Sequence, residues 1–577
     1  MTDTNNSNSG SYQNRKPAGK DSRPGRDSRS NRSGYGFNKS SSEGRFTRDS
    51  RFSSAGSPAR PALRNRKDSE RSSQNRRKPN EGIRVYRSEQ TEIPSSSSRS
   101  SRSGYGFKPR RDSDFSKNRN RTPSRRNEER APRQVQRNPK LKVQRWGING
   151  EGIAYKNHKP VFVEGVIPDE TAIIEITEEN DRYAKGRLVE LIDESPRRRH
   201  PVCPIADQCG GCALMHVDYK GQIRAKENLL KEALKKYAHW KGEIQPMVKN
   251  PSPLAYRNAC KFPFGFNEEG QISTGMYERN SNDFVPVPRC LIHSKKLEKI
   301  RHEVEDVLRK YDLKPYDRET KSGLRNLVLK EFDDQVHIIL VTSEMDLPEE
   351  MVNDLLSLEN AASVWQSIKD DTDMEFEMFG SRMIHLGGEM KMTLTLGDLS
   401  LELLPRSFFQ LNTTQAKQLY DQVVSWIPED TGLLVEAYSG IGAMSLSAAD
   451  KANEVIGIEV VEDAVANARD NALANGKENV SFICGDAGEE LEKIAANQNV
   501  DVLLVDPPRS GLNKKMKESV HEAKPKKIIY VSCNPATLGK DIADLSDLYE
   551  IEEVVPFDMF SQTPQVETAV LLSRNDL

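Results

Sequence analysis

The 577 residues, 35% hydrophobic with a mean hydropathy of −0.73, give room for three or four domains at roughly 150 residues each and hold no run of about 20 apolar residues able to span a membrane. A net charge of zero conceals a basic start: residues 1–140 carry 35 Lys and Arg against 14 Asp and Glu, out of 86 of each in the whole chain, so the remaining 437 residues are as acidic as the start is basic. The opening MTDTNNSNSG has no charged segment leading into an apolar run, which argues against a secretory signal, and a cytoplasmic protein without a membrane partner is expected.

Residues 1–135 are rich in Arg, Ser, Asn, Gly and Pro and poor in aliphatics. Such a segment cannot bury enough apolar surface to offset its ordering entropy, so a disordered basic tail is expected. Arg32-Ser-Gly-Tyr-Gly-Phe37 recurs as Arg102-Ser-Gly-Tyr-Gly-Phe107. Cations interleaved with rings suit single-stranded RNA, the cations meeting phosphates and the rings stacking on bases; a solubilising tail is the plainer alternative. Residues 136–195 show short strand-like runs, Val161–Val163, Ala172–Ile176 and Gly186–Leu191, with turns at Gly147, Gly150, Gly152 and Gly165. A five-stranded barrel of the oligonucleotide-binding type fits this length, as an RNA-binding module or a structural cap.

Residues 196–400 form a mixed central region. A helix is expected over 226–237, and strands at Asn326–Leu329 and Val336–Val341, joined by a turn at Phe332-Asp-Asp. Cys203, Cys209 and Cys212 stand in a Cys-x5-Cys-x2-Cys pattern, with Cys290 distant, and Gly210-Gly211 lets the backbone fold tightly around a metal centre. Four thiolates can hold zinc or a [4Fe–4S] cluster. Zinc ribbons usually offer two closely spaced pairs, and one is present here. Cys260 and Cys484, set among apolar neighbours, are expected in the core.

Residues 401–577 alternate strand and helix. Strands are expected at 433–438, 455–459, 480–484, 502–506, 527–532, 551–556 and 566–572, the first five each followed by a helix and the last two mutually antiparallel. The pattern predicts an α/β doubly wound sheet with right-handed crossovers. Ligands of such sheets lie outside the carboxyl ends of the strands. There the chain places Glu436-Ala-Tyr-Ser-Gly440-Ile-Gly442, whose glycines allow a tight turn, although Ser445 replaces the third glycine of a dinucleotide fingerprint. Glu459, 19 residues after Gly440, is placed to accept from ribose hydroxyls, Asp486 to reach an adenine edge, and Asp506 ends the fourth strand. Each acid alone is read as readily as a helix cap or a solvated charge; acids at successive strand ends point to a ligand.

Three motifs sharpen this reading. Asp506-Pro-Pro-Arg-Ser-Gly-Leu512, Ser532-Cys-Asn-Pro-Ala-Thr-Leu538 and Ser407-Phe-Phe-Gln-Leu-Asn412 together resemble the RNA uracil-5-methyltransferase family, over roughly residues 140–577. The 136–195 region resembles the TRAM domain of its ribosomal-RNA members. The resemblance implies a class I (Rossmann-like) methyltransferase domain with S-adenosylmethionine as cofactor, bound by Gln410, Tyr438, Glu459 and Asp506, with Gly440 and Asp486 completing the crevice. It implies a structural [4Fe–4S] cluster on Cys203, Cys209, Cys212 and Cys290, zinc being the second choice. The implied substrate is 23S ribosomal RNA, and a monomer is expected.

Uracil C5 is too weak a nucleophile to attack a methylsulfonium unaided. Addition of a thiolate to C6 gives C5 carbanion character, and a base must then remove the C5 proton, so both groups are needed beside a flipped nucleotide. The resemblance assigns Cys533 as nucleophile and Glu567 as general base, with Asp558 the next candidate base. A buried structural thiol and a solvated strand-end glutamate are the plain alternatives. The family reads Asp-Met-Phe-Pro-x-Thr-x-His-Val-Glu before the base; here Ser561 and Gln565 replace the proline and histidine. Competing readings are a cytosine-5-methyltransferase, a transfer-RNA enzyme of the same family, which usually lacks the β-domain and the four cysteines, and a non-enzymatic RNA-binding protein.

Overall fold

The computed structural model describes residues 85–87, 138–371 and 377–576; Val85–Arg87 form a strand within the stretch expected to be disordered, and the rest of that tail, with its repeat, lies outside the described residues. After a short strand β1 (Val85–Arg87), strands β2 (Lys140–Trp146), β3 (Gly152–Lys156), β4 (Lys159–Val163), β5 (Thr171–Glu179) and β6 (Ala184–Asp193) close into the expected five-stranded barrel, in the order β2-β3-β4-β6-β5. Alternation drives the closure: Val143, Ala154, Val161, Val163, Ala172 and Ile174 are wholly buried inside it. Beside the barrel the buried carboxylate of Glu170 accepts from Arg198 Nε at 2.6 Å and Nη2 at 2.7 Å. This ion pair ties the barrel to the segment leading to the cysteines.

The helix expected over 226–237 begins earlier, as α1 (Tyr219–Ala233), and ends in a wider turn, Leu234–Ala238. The central region then forms β7 (Ala259–Phe266), β8 (Ile272–Tyr277), β9 (Phe284–Pro286), α2 (Lys295–Lys310), β10 (Leu324–Phe332), β11 (Gln335–Thr342), α3 (Glu349–Leu356), β12 (Ala361–Ile368) and β13 (Arg382–Gly388). With β1 at one edge, these strands make an eight-stranded sheet in the order β1-β13-β12-β11-β10-β7-β8-β9. Leu297, Ile300 and Val304 of α2, with Met351 and Leu355 of α3, bury against Phe262, Leu329 and Ile338 on one face. The expected neighbouring strands are present as β10 and β11, which pair antiparallel and turn at Asp333.

A hairpin of β14 (Met392–Leu396) and β15 (Leu399–Leu403) packs its leucines into the core of the last domain, beside α4 (Thr413–Ser425). There β16 (Thr431–Ala437), α5 (Ala443–Ala448), β17 (Ala452–Glu459), α6 (Glu462–Ala474), β18 (Val480–Cys484), α7 (Ala487–Ala495), β19 (Val502–Val505), α8 (Lys514–Ala523), β20 (Lys527–Ser532), α9 (Pro535–Leu545), β21 (Tyr549–Phe557) and β22 (Glu567–Arg574) follow one another. All seven expected strands join one doubly wound sheet, ordered β18-β17-β16-β19-β20-β22-β21. Strand β22 inserts between β20 and β21, antiparallel to both. Every residue of β19 is buried, as a strand covered by helices on both faces requires. One expectation is corrected: Cys260 is buried, but Cys484 is exposed. Alternation puts it on the face of the buried Val480 and Phe482, but it is the last residue of β18, an edge strand, and lies exposed at that strand's end.

Candidate active site and cysteine pocket

The carboxyl edge of the parallel strands gathers the acids in sheet order. Asp486 follows β18, Glu459 ends β17, Tyr438 to Gly440 follow β16, Asp506 follows β19 and Cys533 follows β20. Because β22 runs the other way, its first residue, Glu567, reaches the same edge. Its ladder with β20 ends at the pair Ser532–Thr568, and one step further the register sets Cys533 opposite Glu567.

A pocket with about 370 Å³ of empty space opens beside β16, lined by Gln410, Tyr438, Gly440 and Asp506 among others. Gln410 arrives on the loop before α4, whose cap Asn412 accepts from the Gln415 N–H at 3.2 Å; Asn258 Nδ2 donates to the Gln410 carbonyl at 3.0 Å. Tyr438, Gly440 and Gly442 have φ of +67°, +54° and +81°, so the backbone after β16 turns through the left-handed region. A Cβ on Gly442 would lie 2.4 Å from Cζ of Phe482.

Glu459 and Asp486 lie outside that lining. The Glu459 carboxylate accepts from the Gly440 N–H at 3.0 Å and the Val461 N–H at 3.0 Å, and so holds the glycine turn. Asp486 Oδ1 caps α7, accepting from the N–H groups of Gly488 at 2.9 Å and Glu489 at 3.1 Å.

Glu436 and Phe408 are among the lining residues absent from the expected set. Glu436 is buried, and Ser445 Oγ donates to it; burial lifts its carboxyl to about 8. An acid within the otherwise apolar run of β16 was the available signal. Phe408, in the Ser-Phe-Phe-Gln motif, is 68% exposed at the pocket's lip, which no pattern of spacing announces.

Burial also lifts Asp506 to about 7. It raises Glu567 well above the carboxylate range, with the neighbouring Asp506 adding to the effect and Arg509 opposing it. Burial, then Glu567 and Asp506, push Cys533 up to about 11, again against Arg509. An edge so short of positive charge holds its protons and favours a cationic occupant. Glu567 Oε1 is buried without a hydrogen-bond partner, an expensive state for a group that meets no ligand. Asp558 is ion-paired to Lys226, both almost wholly buried, so this second candidate base is spoken for.

The four cysteines expected at a metal centre are free thiols lining one pocket. Burial pushes Cys212 up to about 12 and Cys290 up to about 11; Cys290, Cys209 and Cys203 add to the shift of Cys212, as neighbouring thiols should. The Gly211 N–H donates to Cys209 Sγ at 3.4 Å. His293 and Glu298 offer further ligand atoms beside Cys290, but Glu298 is engaged by Arg301 at 2.9 Å and by the Cys290 N–H at 2.8 Å. Four thiols in one pocket, three from the loop before α1 and one from the segment between β9 and α2, with a backbone N–H directed at Cys209, fit an all-thiolate centre.

Comparison with known proteins accords with this geometry. The family model of tRNA (uracil-5-)-methyltransferases matches residues 389–575, and that of the TRAM domain matches residues 132–189. An uncharacterized RNA methyltransferase of Halalkalibacterium halodurans is 33% identical over 445 residues, covering 75% of this chain and 95% of the relative. Another, of Caldanaerobacter subterraneus, is 37% identical over 438 residues, covering 74% of this chain and 96% of the relative. Among solved structures, a Pyrococcus abyssi tRNA (uracil-54, C5)-methyltransferase in complex with S-adenosyl-L-homocysteine shares the fold, with a TM-score of 0.60 and 24% identity over 75% of this chain and 100% of that one.

Proposed function

Because the chain belongs to the RNA uracil-5-methyltransferase family, whose methyl donor is S-adenosylmethionine, we propose that it methylates C5 of a uridine in 23S ribosomal RNA through a covalent Cys533–C6 adduct resolved by Glu567. The observation that carries this reading is a thiol set opposite a buried, unpartnered carboxylate, at the edge beside the pocket. The residues fit the cofactor: Gln410, Tyr438 and Asp506 line the pocket, Glu459 and Gly440 shape its turn, and carboxyl groups suit a sulfonium and an ammonium. Once bound, the cofactor supplies an electrophilic methyl group.

The chain's own residues do the rest. Cys533 Sγ, as thiolate, adds to C6 and moves electron density onto C5, which takes the methyl group. Glu567 then removes the C5 proton, the C5–C6 double bond re-forms, and the thiolate leaves. Cys533→Ala should be inactive and form no adduct. Glu567→Gln should add to uracil, accept the methyl group and stall, so that a denaturation-resistant, methylated protein–RNA adduct accumulates. Methylation by Cys533→Ala, or normal turnover by Glu567→Gln, would overturn the assignments.

The barrel and the four-cysteine pocket support ribosomal over transfer RNA, since both mark the ribosomal-RNA members. Mass-spectrometric mapping of 5-methyluridine in a deletion strain checks this: the mark should vanish from 23S RNA, and its loss from transfer RNA alone would transfer the assignment. Cys203, Cys209, Cys212 and Cys290 would hold a structural [4Fe–4S] cluster. Anaerobically purified protein should contain iron and sulfide, and stoichiometric zinc without iron would remove the cluster.

A further inference from the structure

The segment 558–566, between β21 and Glu567, has no regular structure, yet other parts of the chain grip it throughout. Lys226 of α1, wholly buried, is ion-paired to Asp558, and its Nζ also donates to the Phe560 carbonyl at 2.9 Å. Tyr219 Oη donates to the second oxygen of Asp558 at 2.8 Å, and Ser561 Oγ donates to the same oxygen at 2.5 Å. Asn250 Nδ2 in turn donates to Ser561 Oγ at 3.0 Å.

Gln562 is the hub. It is 1% exposed with φ +69°, and each of its polar atoms is engaged. Its Oε1 accepts from Arg199 Nη2 at 2.8 Å and Gln222 Nε2 at 2.9 Å, and its Nε2 donates to the Pro253 carbonyl at 3.2 Å. Its N–H donates to Gln222 Oε1 at 3.0 Å, and its carbonyl accepts from the Leu214 N–H at 2.9 Å. Leu214 lies just beyond Cys212, so the loop bearing the thiols holds the same segment.

Two physical arguments give this network a purpose. A buried ion pair and a left-handed non-glycine residue are costly to assemble, and persist where the surroundings demand one geometry. A base acting on a C–H bond must be held to a fraction of an ångström. Glu567 Oε1 has no partner of its own, so its placement comes from the backbone that leads into β22. We propose that Gln562 and the Lys226–Asp558 pair are positioning residues that set Glu567 opposite Cys533. The proposal rests on Glu567 as the general base.

The test uses the full chain and RNA from a deletion strain. Gln562→Leu and the charge-neutral double variant Lys226→Met with Asp558→Asn are compared with the unaltered enzyme. Three quantities are followed: S-adenosylhomocysteine affinity, the rate at which the methylated covalent adduct forms, and the rate at which that adduct resolves. Affinity and the rate of formation should hold within about twofold while resolution slows about tenfold or more, so that the adduct accumulates. Resolution at the unaltered rate, or a parallel fall in all three quantities, would overturn the proposal; if Gln562→Leu fails to fold, the double variant decides. Glu567→Gln runs alongside. If it fails to accumulate adduct, the base assignment fails first; if it accumulates adduct and the positioning variants do not, only the positioning role is lost.

Discussion

Cys533, the proposed nucleophile, would react as a thiolate, but it sits where burial and two carboxyl groups push its pKa up to about 11. The thiol therefore dominates at neutral pH, and the reactive fraction grows as pH rises. Asp506, lifted to about 7, and Glu567, also raised, must likewise lose protons before they can attract a cation or accept a proton. All the shifts have one sign, so kcat/KM should climb from about pH 6 to about pH 9 without an alkaline fall. A maximum near neutrality, followed by a decline, would mean that one of these groups must act in its protonated form.

At the scale of elements, the turn from β16 into α5 joins the pocket beside β16 to the sheet. Gly440 and Gly442 both have positive φ, but their surroundings differ: a Cβ at 440 meets nothing within 4 Å, whereas one at 442 runs into the Phe482 ring. Gly442→Ala must therefore displace a buried ring of β18 as well as strain the backbone, at a cost of about 1–3 kcal/mol. Thermal denaturation should show Gly442→Ala less stable than Gly440→Ala, and calorimetry should show weaker S-adenosylhomocysteine binding by Gly442→Ala. Equal stability of the two variants would mean that the ring moves aside freely. The antiparallel return of β22 matters as much, since it alone brings a residue from the chain's end beside Cys533.

At the scale of the whole molecule, the charge division has a kinetic and thermodynamic consequence. Residues 1–140 carry 35 basic against 14 acidic side chains, and the remaining 437 residues 51 against 72. An acidic body meets phosphates poorly outside its local basic sites, and each phosphate neutralised by the basic segment releases counterions. Deleting residues 1–135 should weaken RNA binding at low salt and flatten the fall of affinity with salt, while turnover on a short saturating RNA hardly changes. Identical salt slopes for the two forms would show that the basic segment does not touch RNA.

The sequence by itself determined the elements whose signal is local. The seven strands of the last domain are short apolar runs, the barrel strands alternate between glycine turns, and the residues expected around the cofactor, Gln410 apart, stand at strand ends, because a doubly wound sheet must bury its strands and expose its turns. The eight-stranded central sheet was legible only in the pair β10 and β11: the hairpins β7–β8 and β8–β9 are local but went unread, and the pairings of β10 with β7 and of β11 with β12 span a helix, which local periodicity does not record. Tertiary structure alone decided that β22 enters between β20 and β21, that Cys484 lies outside the core, and that Asp558 is bound to Lys226, 332 residues away. Partners so distant are chosen by packing and by the need to satisfy buried charge. That is why the motif that carries Glu567 could be read from the sequence, while the clamp that holds it could not.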